Sequence, residues 1–94
     1  MLRVDQLKPG LVKLSGRFDA SQADLAVEAL SRLTESVTVD CSELEYISSV
    51  GIGILVQTYR RLDDNDQTLQ LADVTPRIRN ILVYAGLAEL LGIK

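Results

Sequence analysis

Two strand signals separated by one helix signal constrain the fold more than any other feature of the chain. Val37-Thr38-Val39 is β-branched throughout and predicts a buried strand ending at Asp40. Thr68 to Ala72, with Leu69 and Leu71 on one face, predicts another strand. The segment between them carries an apolar stripe at helical spacing: Ile52, Leu55, Val56, Tyr59 and Leu62. Strands joined through a helix need a crossover connection, so these two should lie parallel in one sheet with the helix packed on it.

The first twenty residues predict a hairpin. Leu2 and Val4 alternate with charged residues as in a short strand, and Lys8-Pro9-Gly10 is a turn signal. Residues 11–14 then form the expected antiparallel partner, which the segment 16–19 interrupts.

Two further helices complete the order. Ser21-Gln22-Ala23-Asp24 has the form of a capping box, and apolar residues at helical spacing carry that helix to about Leu33. Thr75-Pro76 marks the start of the last helix and Gly86 its end, with one more helical turn expected over residues 87–91. The sequence therefore predicts an α/β fold of order β-β-α-β-α-β-α, with a mixed sheet of about four strands and helices mainly on one face.

Composition narrows the function. The 94 residues are 47% apolar and 24% charged, which predicts one globular domain over residues 1–94. A net charge of −3 argues against nucleic-acid binding. Because the chain has no His and only Cys41, it has no set of zinc ligands, no internal disulfide and no base for a nucleophile. With neither a signal peptide nor a membrane span, we expect a cytoplasmic binding protein without cofactor or enzymatic activity, present as a monomer or a weak dimer.

The stretch "EYISSVGIG", residues 45–53, carries the candidate site. Ser48 or Ser49 should cap the helix that follows, and capping alone would explain a serine there. The position also lies at the end of the sheet where α/β proteins bind ligands, and a helix start accommodates an anion. Val50 and Ile54 project away from the predicted core stripe, so they form either an exposed partner-binding patch or a surface covered by another loop.

These residues resemble the STAS domain family, typified by bacterial anti-sigma factor antagonists. The similarity is most specific in "VTVDCSELEYISSVGIGILVQTYRRL", and it extends to "TPRIRNILVYAGLAELLGI" and to "LSGRFDA". In the family, the regulated serine follows a motif aspartate and stands two residues before a glycine. Those positions are Ser49 and Gly51 here, whereas Ser48 replaces the aspartate and is the rival phosphoacceptor.

The resemblance implies partner switching. The unmodified antagonist binds an anti-sigma factor that is also a serine kinase, the sigma factor is released, phosphorylation at Ser49 ends the binding, and a phosphatase resets it. The expected partner-binding residues are Asp19, Ser48, Val50, Gly51 and Ile54.

Two alternatives within the family stay open. One is a STAS subunit that clamps the ATPase of a bacterial phospholipid-transport ABC complex, which Ser48 in the aspartate's place and the end of the chain at Lys94 favour. The other is a scaffold protomer of a stress-signalling assembly. The pairs Arg60/Arg61 and Arg77/Arg79 are expected to be a solvated surface.

Overall fold

The computed structural model describes residues 1–87, 90 and 91, and it confirms the predicted order of elements. The expected turn over residues 87–91 lies partly outside the described residues, although Leu91 N–H does donate to Leu87 O (3.0 Å). The strands are β1 (Leu2–Lys8), β2 (Leu11–Phe18), β3 (Val37–Ile47) and β4 (Leu69–Ala72), and the helices are α1 (Ala23–Ser31), α2 (Ser49–Asp64) and α3 (Pro76–Tyr84).

The four strands form one mixed sheet in the order β1-β2-β3-β4. β1 and β2 pair antiparallel as a hairpin, while β2 with β3 and β3 with β4 pair parallel, as the crossover argument predicts. One side of the sheet is buried, with Val12, Val39 and Leu71 in the same apolar cluster as residues from all three helices. Side chains on the other side, such as Lys13 and Asp40, are half-buried. The helices therefore pack on one face of the sheet.

Two strands are longer than predicted. β3 continues from Asp40 to Ile47, and β2 continues through Gly16 to Phe18. The two extensions pair with each other, and the register between them shifts twice. These shifts disrupt the alternation of apolar and polar residues that a regular strand would show. Gly16 has a φ of +87°, and a Cβ there would lie 2.0 Å from the Met1 carbonyl oxygen, so only glycine fits inside this strand.

The predicted capping box at Ser21 is wrong. A short 3₁₀ turn, Ala20–Gln22, precedes α1, and its cap is Asp19, whose carboxylate accepts from Ser21 N–H (3.1 Å) and from Ser21 Oγ (2.5 Å). The Ser21 hydroxyl therefore donates to Asp19, two residues earlier, and accepts no backbone N–H of α1. An aspartate two residues before a serine is itself a strong turn-forming pair, and here it determines where the chain turns.

The buried face of α2 is rotated from the predicted one and shares Leu55 and Leu62 with it. Its buried residues are Gly51, Ile54, Leu55, Thr58 and Leu62, whereas Ile52 and Tyr59 are only half-buried at the margin of the core. The apolar pattern of the sequence does not include Gly51 or Thr58, because neither is a large apolar residue, yet both are buried. Thr58 is satisfied there because its hydroxyl donates to Ile54 O (2.8 Å).

Arg61 is not part of a solvated surface, although Arg60, Arg77 and Arg79 are exposed as predicted. The Arg61 guanidinium donates to Leu33 O (2.7 Å) and to Leu30 O (2.9 Å). These carbonyls lie at and just beyond the end of α1, where a helix leaves carbonyl groups without intrahelical partners. Arg61 thus ties the end of α1 to the side of α2.

The end of α3 agrees with the prediction. Gly86 has a φ of +75°, its N–H donates to Val83 O (2.9 Å), and Leu87 N–H donates to Leu82 O (3.0 Å). This pair of bonds is the glycine-terminated motif that commonly ends helices. Cys41 is buried, as expected of a small core residue, and burial raises the pKa of its thiol to about 12. The thiol is therefore protonated, and unreactive as a nucleophile, at neutral pH.

Candidate functional site

The candidate site lies where the parallel strands β2 and β3 end side by side. Phe18 and Ile47, the last residues of these strands, are register partners. Immediately beyond them, Ser48 N–H donates to Phe18 O (2.9 Å). This bond joins the turn that starts at Asp19 to the start of α2. Residues 17–19 and 46–50, which are far apart in sequence, therefore form one local surface at the carboxyl edge of the sheet.

Ser48 is the cap of α2. Its Oγ accepts from Gly51 N–H (3.2 Å), and its carbonyl accepts the first helical bond, from Ile52 N–H (2.9 Å). The residue is half-buried. The expectation that one of the two serines caps the helix is confirmed, and the serine that does so is the one in the aspartate's place. Because serine and aspartate cap helices about equally well, this departure from the family pattern leaves the helix start intact.

Ser49 is the first residue of α2, and its side chain is exposed. A helix start leaves four backbone N–H groups without intrahelical partners. Ser48 N–H and Gly51 N–H are bonded as above, which leaves those of Ser49 and Val50 without a partner among the described residues. The Ser49 hydroxyl therefore stands beside two unpaired donors at the positive end of the helix dipole.

Gly51 was predicted to bind a partner, and its burial contradicts this. A Cβ at this position would lie 2.9 Å from Ile47 Cγ1 and 3.0 Å from Phe18 Cδ1. The glycine lets the first turn of α2 press directly on the ends of β2 and β3. Its role is to position the two serines, and it offers no surface of its own.

We expect Gly51→Ala to lower the free energy of unfolding by about 1 kcal/mol. Overpacking against Phe18 and Ile47 costs about 1–3 kcal/mol, and the higher helix propensity of alanine returns about 1 kcal/mol. Gly53→Ala is the matched control, because nothing lies within 4 Å of a Cβ there. The free energy of unfolding of Gly53→Ala, measured by urea denaturation, should rise by about 0.5–1 kcal/mol. Equal stability changes in the two variants would contradict the packing role of Gly51.

Val50 and Ile54 do not form the predicted patch together. Val50 is 42% exposed, but Ile54 is 7% exposed and belongs to the core. The prediction for Ile54 is wrong because α1 lies along that side of α2, where Val27 and Ser31 line the same cleft as Ile54. Helix periodicity shows which residues share a face, but it does not show that a second helix covers it.

Asp19 lies at the site as predicted, but its carboxylate is occupied. The hydrogen bonds from Ser21 described above hold the pKa of Asp19 below its usual value. The side chain is half-buried and ionised at neutral pH. Asp19 thus fixes the turn beside Ser48 and adds one negative charge to the surface around the two serines.

Sequence reasoning missed a pair of residues beside the site. The Arg17 guanidinium lies 4.6 Å from the centre of the Tyr46 ring. The two residues are register partners one step before Phe18 and Ile47, so the parallel pairing brings them together. An arginine over an aromatic face is attracted to the ring. Each of the two residues is the last but one of its strand. The sequence alone does not show that they are neighbours, because that depends on the register of β2 on β3.

Glu43 and Glu45 differ in their surroundings. Glu43 forms an ion pair with Lys13 across β2 and β3, whereas Glu45 is exposed. Among the described residues, no three or more His, Cys, Asp or Glu side chains are arranged to hold a metal ion. In the same part of the chain, none of the helices combines the length and apolar character needed to cross a membrane.

The fold and site define a small α/β domain whose central strand leads into a serine-capped helix with an exposed hydroxyl at its first residue. A family model described as "Mlab, STAS domain" matches residues 3–92. The chain therefore belongs to the STAS domain family, as its motifs predicted.

Similar proteins have names from sigma-factor regulation. The chain is 28% identical over 86 residues to an anti-sigma-B factor antagonist of Staphylococcus aureus, covering 87% of this chain and 80% of that protein. An anti-sigma factor antagonist from Mycobacterium paratuberculosis has a similar structure, with a TM-score of 0.80 at 24% identity over 97% of this chain and 81% of the other. Unphosphorylated SpoIIAA, an anti-sigma factor antagonist, gives a TM-score of 0.74 at 15% identity, covering 95% and 84% of the two chains. At these identities the solved structures show the shared fold.

Proposed function

We propose that this protein is an anti-sigma factor antagonist that binds an anti-sigma factor with serine kinase activity and is released from it by phosphorylation at Ser49. Support comes from the names of its relatives in Staphylococcus and from the match of Ser49 to the family's regulated position. A phosphatase would return the protein to its binding form.

The observation that carries the proposal is the different state of the two serines. Ser48 is half-buried and its oxygen accepts the helix-capping bond, whereas Ser49 is exposed and beside unpaired N–H groups. A kinase needs an accessible hydroxyl, which favours Ser49. The first turn of α2 would then hold the added phosphate, because free N–H groups and the helix dipole both favour an anion.

The same phosphate would weaken binding. It adds a charge of about −1.5 to −2 at neutral pH, next to the exposed apolar side chain of Val50 and near the ionised Asp19. A partner surface that contacts Val50 must then desolvate the phosphate or leave the contact. We expect the fold to survive the modification while the binding surface changes.

Phosphate mapping tests this directly. Wild type, Ser48→Ala and Ser49→Ala are incubated with ATP and the candidate anti-sigma kinases encoded in the same genome, and the phosphate is located by mass spectrometry. We expect label in wild type and Ser48→Ala and none in Ser49→Ala. Ser49→Asp should keep its melting temperature and bind the kinase at least about tenfold more weakly, which is about 1.4 kcal/mol. Label retained in Ser49→Ala but lost in Ser48→Ala would move the acceptor by one residue.

Val50→Asp tests the binding surface separately from the phosphate. The side chain is exposed, so we expect the free energy of unfolding to change by less than about 1 kcal/mol. Affinity for the kinase should fall about tenfold, measured by isothermal titration calorimetry. Val83→Asp, which alters a similarly exposed valine near the end of α3, is the control and should leave affinity unchanged. An equal loss in both variants would contradict a Val50 surface.

The second candidate is the STAS subunit of a phospholipid-transport ABC complex. The description of the matching family model, which names Mlab, favours it. That function needs no phosphoacceptor. A stable stoichiometric complex with a transporter ATPase, together with no label from any of the kinases, would replace the antagonist proposal with this one. A large homomeric assembly would instead indicate the scaffold function.

A further inference from the structure

β1 is an edge strand of the sheet, and part of its backbone is unpaired. Leu2 N–H points away from β2, because it donates to Gln22 Oε1 (3.1 Å). Successive residues of a strand alternate in direction, so the N–H and C=O groups of Val4 and Gln6 point the same way. Among the described residues these groups have no partner. An unpaired edge of this kind is a template for another strand.

We propose that this edge binds the same edge of a second copy of the chain, forming a weak twofold dimer with a continuous eight-stranded sheet. The axis would pass through Val4, so that Val4 faces Val4 of the second copy, and Leu2 faces Gln6. Such an interface is self-complementary, as a twofold contact requires. It pairs the outward backbone groups of Val4 with those of Val4 in the second copy, and it requires Leu2 N–H to exchange Gln22 Oε1 for Gln6 O of the second copy.

The charges on β1 select this register. Arg3 and Asp5 lie on the same face of the strand, where they form an ion pair within one copy (Nε–Oδ2 3.5 Å), and their side chains are 75% and 40% exposed. With the axis at Val4, each Arg3 lies opposite the Asp5 of the other copy, giving two ion pairs. An axis through Arg3 or Asp5 would bring like charges together, and an axis through Leu2 or Gln6 would place no opposite charge across the interface.

The surroundings of β1 also fit a second copy. A cleft of about 380 Å³ lies between β1 and α1, and its lining combines the apolar residues Leu2, Val4, Leu25 and Ala29 with the charged residues Arg3, Asp5, Glu28 and Arg32. Leu25 on α1 and Leu7 at the far end of β1 are 46% and 53% exposed. Pairing the strands would cover part of this apolar surface. Because the contact is short, the dimer should be weak, and Ser49 stays accessible since it follows β3, two strands away from this edge.

Charge reversal tests the register. Sedimentation equilibrium at low salt, from micromolar to millimolar protein, should show a monomer–dimer equilibrium for wild type. Arg3→Glu and Asp5→Arg should each weaken the dimer at least about tenfold, because each places like charges opposite each other. The double variant Arg3→Glu/Asp5→Arg should restore the wild-type dissociation constant to within about threefold. Arg77→Glu, at an exposed position on α3, is the control and should have no effect.

Cross-linking tests the position of the axis. In Val4→Cys the two Cα atoms would lie about 5.5 Å apart, within reach of a disulfide. Mild oxidation should therefore give a covalent dimer. In the control Leu7→Cys, the two cysteines would lie about 20 Å apart and should not join. Cys41 is buried in both variants. A monomer at millimolar concentration, a dimer insensitive to both charge reversals, or equal cross-linking of the two cysteine variants would each overturn the proposal.

Discussion

Replacing Ile54 by alanine is expected to lower the free energy of unfolding by about 2–4 kcal/mol, the usual cost of deleting a buried isoleucine side chain. Ile54 is only 7% exposed, and it lies in the seam between α1 and α2. The loss combines the transfer of three carbons out of the core with the cavity they leave. Both helices hold the site in place, so the seam contributes to its rigidity.

Val50→Ala is the matched control for this prediction, because Val50 lies one turn earlier on the same helix and is 42% exposed. We expect it to change stability by less than about 0.5 kcal/mol. Urea denaturation followed by circular dichroism measures both variants. If Ile54→Ala lowered the free energy of unfolding as little as Val50→Ala, the side chain of Ile54 would lie at the surface. Val50 and Ile54 would then form the exposed patch that the sequence predicted.

Arg61→Ala is expected to cost about 2 kcal/mol. The substitution removes two hydrogen bonds from a charged donor, to Leu30 O and Leu33 O, and leaves both carbonyls without that partner. Since Arg61 is half-buried, water replaces part of what is lost, and the cost stays below the sum of two such bonds. Helix α1 should also fray from its end, so amide hydrogen exchange there should accelerate.

Arg60→Ala is the control, because the side chain of Arg60 is exposed although it is next to Arg61 in sequence. This variant should change the free energy of unfolding by less than about 0.5 kcal/mol. Arg61→Lys should recover less than half of the loss, because one ammonium group cannot reproduce the planar fork of a guanidinium. Full recovery by lysine would show that Arg61 acts through charge alone. Equal effects at positions 60 and 61 would contradict the helix-end contact.

Much of the fold could be predicted from the sequence. Local patterns determine the element order, and the need for a crossover determines that β3 and β4 are parallel. The serine cap and the glycine that ends α3 were also predictable, because each depends on a few neighbouring residues. The extensions of β2 and β3 were not, because register shifts disrupt the periodicity on which the prediction relied.

The site could be predicted in part. Ser48, Ser49 and Val50 could be identified as candidates because the motif is continuous in sequence, and Asp19 because of the family resemblance. Ile54, Gly51 and Arg61 were misread for one physical reason: each depends on what packs against α2 from another part of the chain. Periodicity describes the faces of one helix, and only the packed structure shows which neighbour covers each face.

The close contact of Gly51 with Phe18 and Ile47 determines how a chemical mark at this site could be read. The first turn of α2 has no room to slide or tilt towards the sheet, because the helix backbone already rests on side chains of the core. A phosphate on Ser49 would therefore stand on a fixed platform and leave the rest of the molecule in the same shape. A partner would then detect the phosphate through direct contact with its charge and volume, and not through a change of conformation elsewhere in the domain.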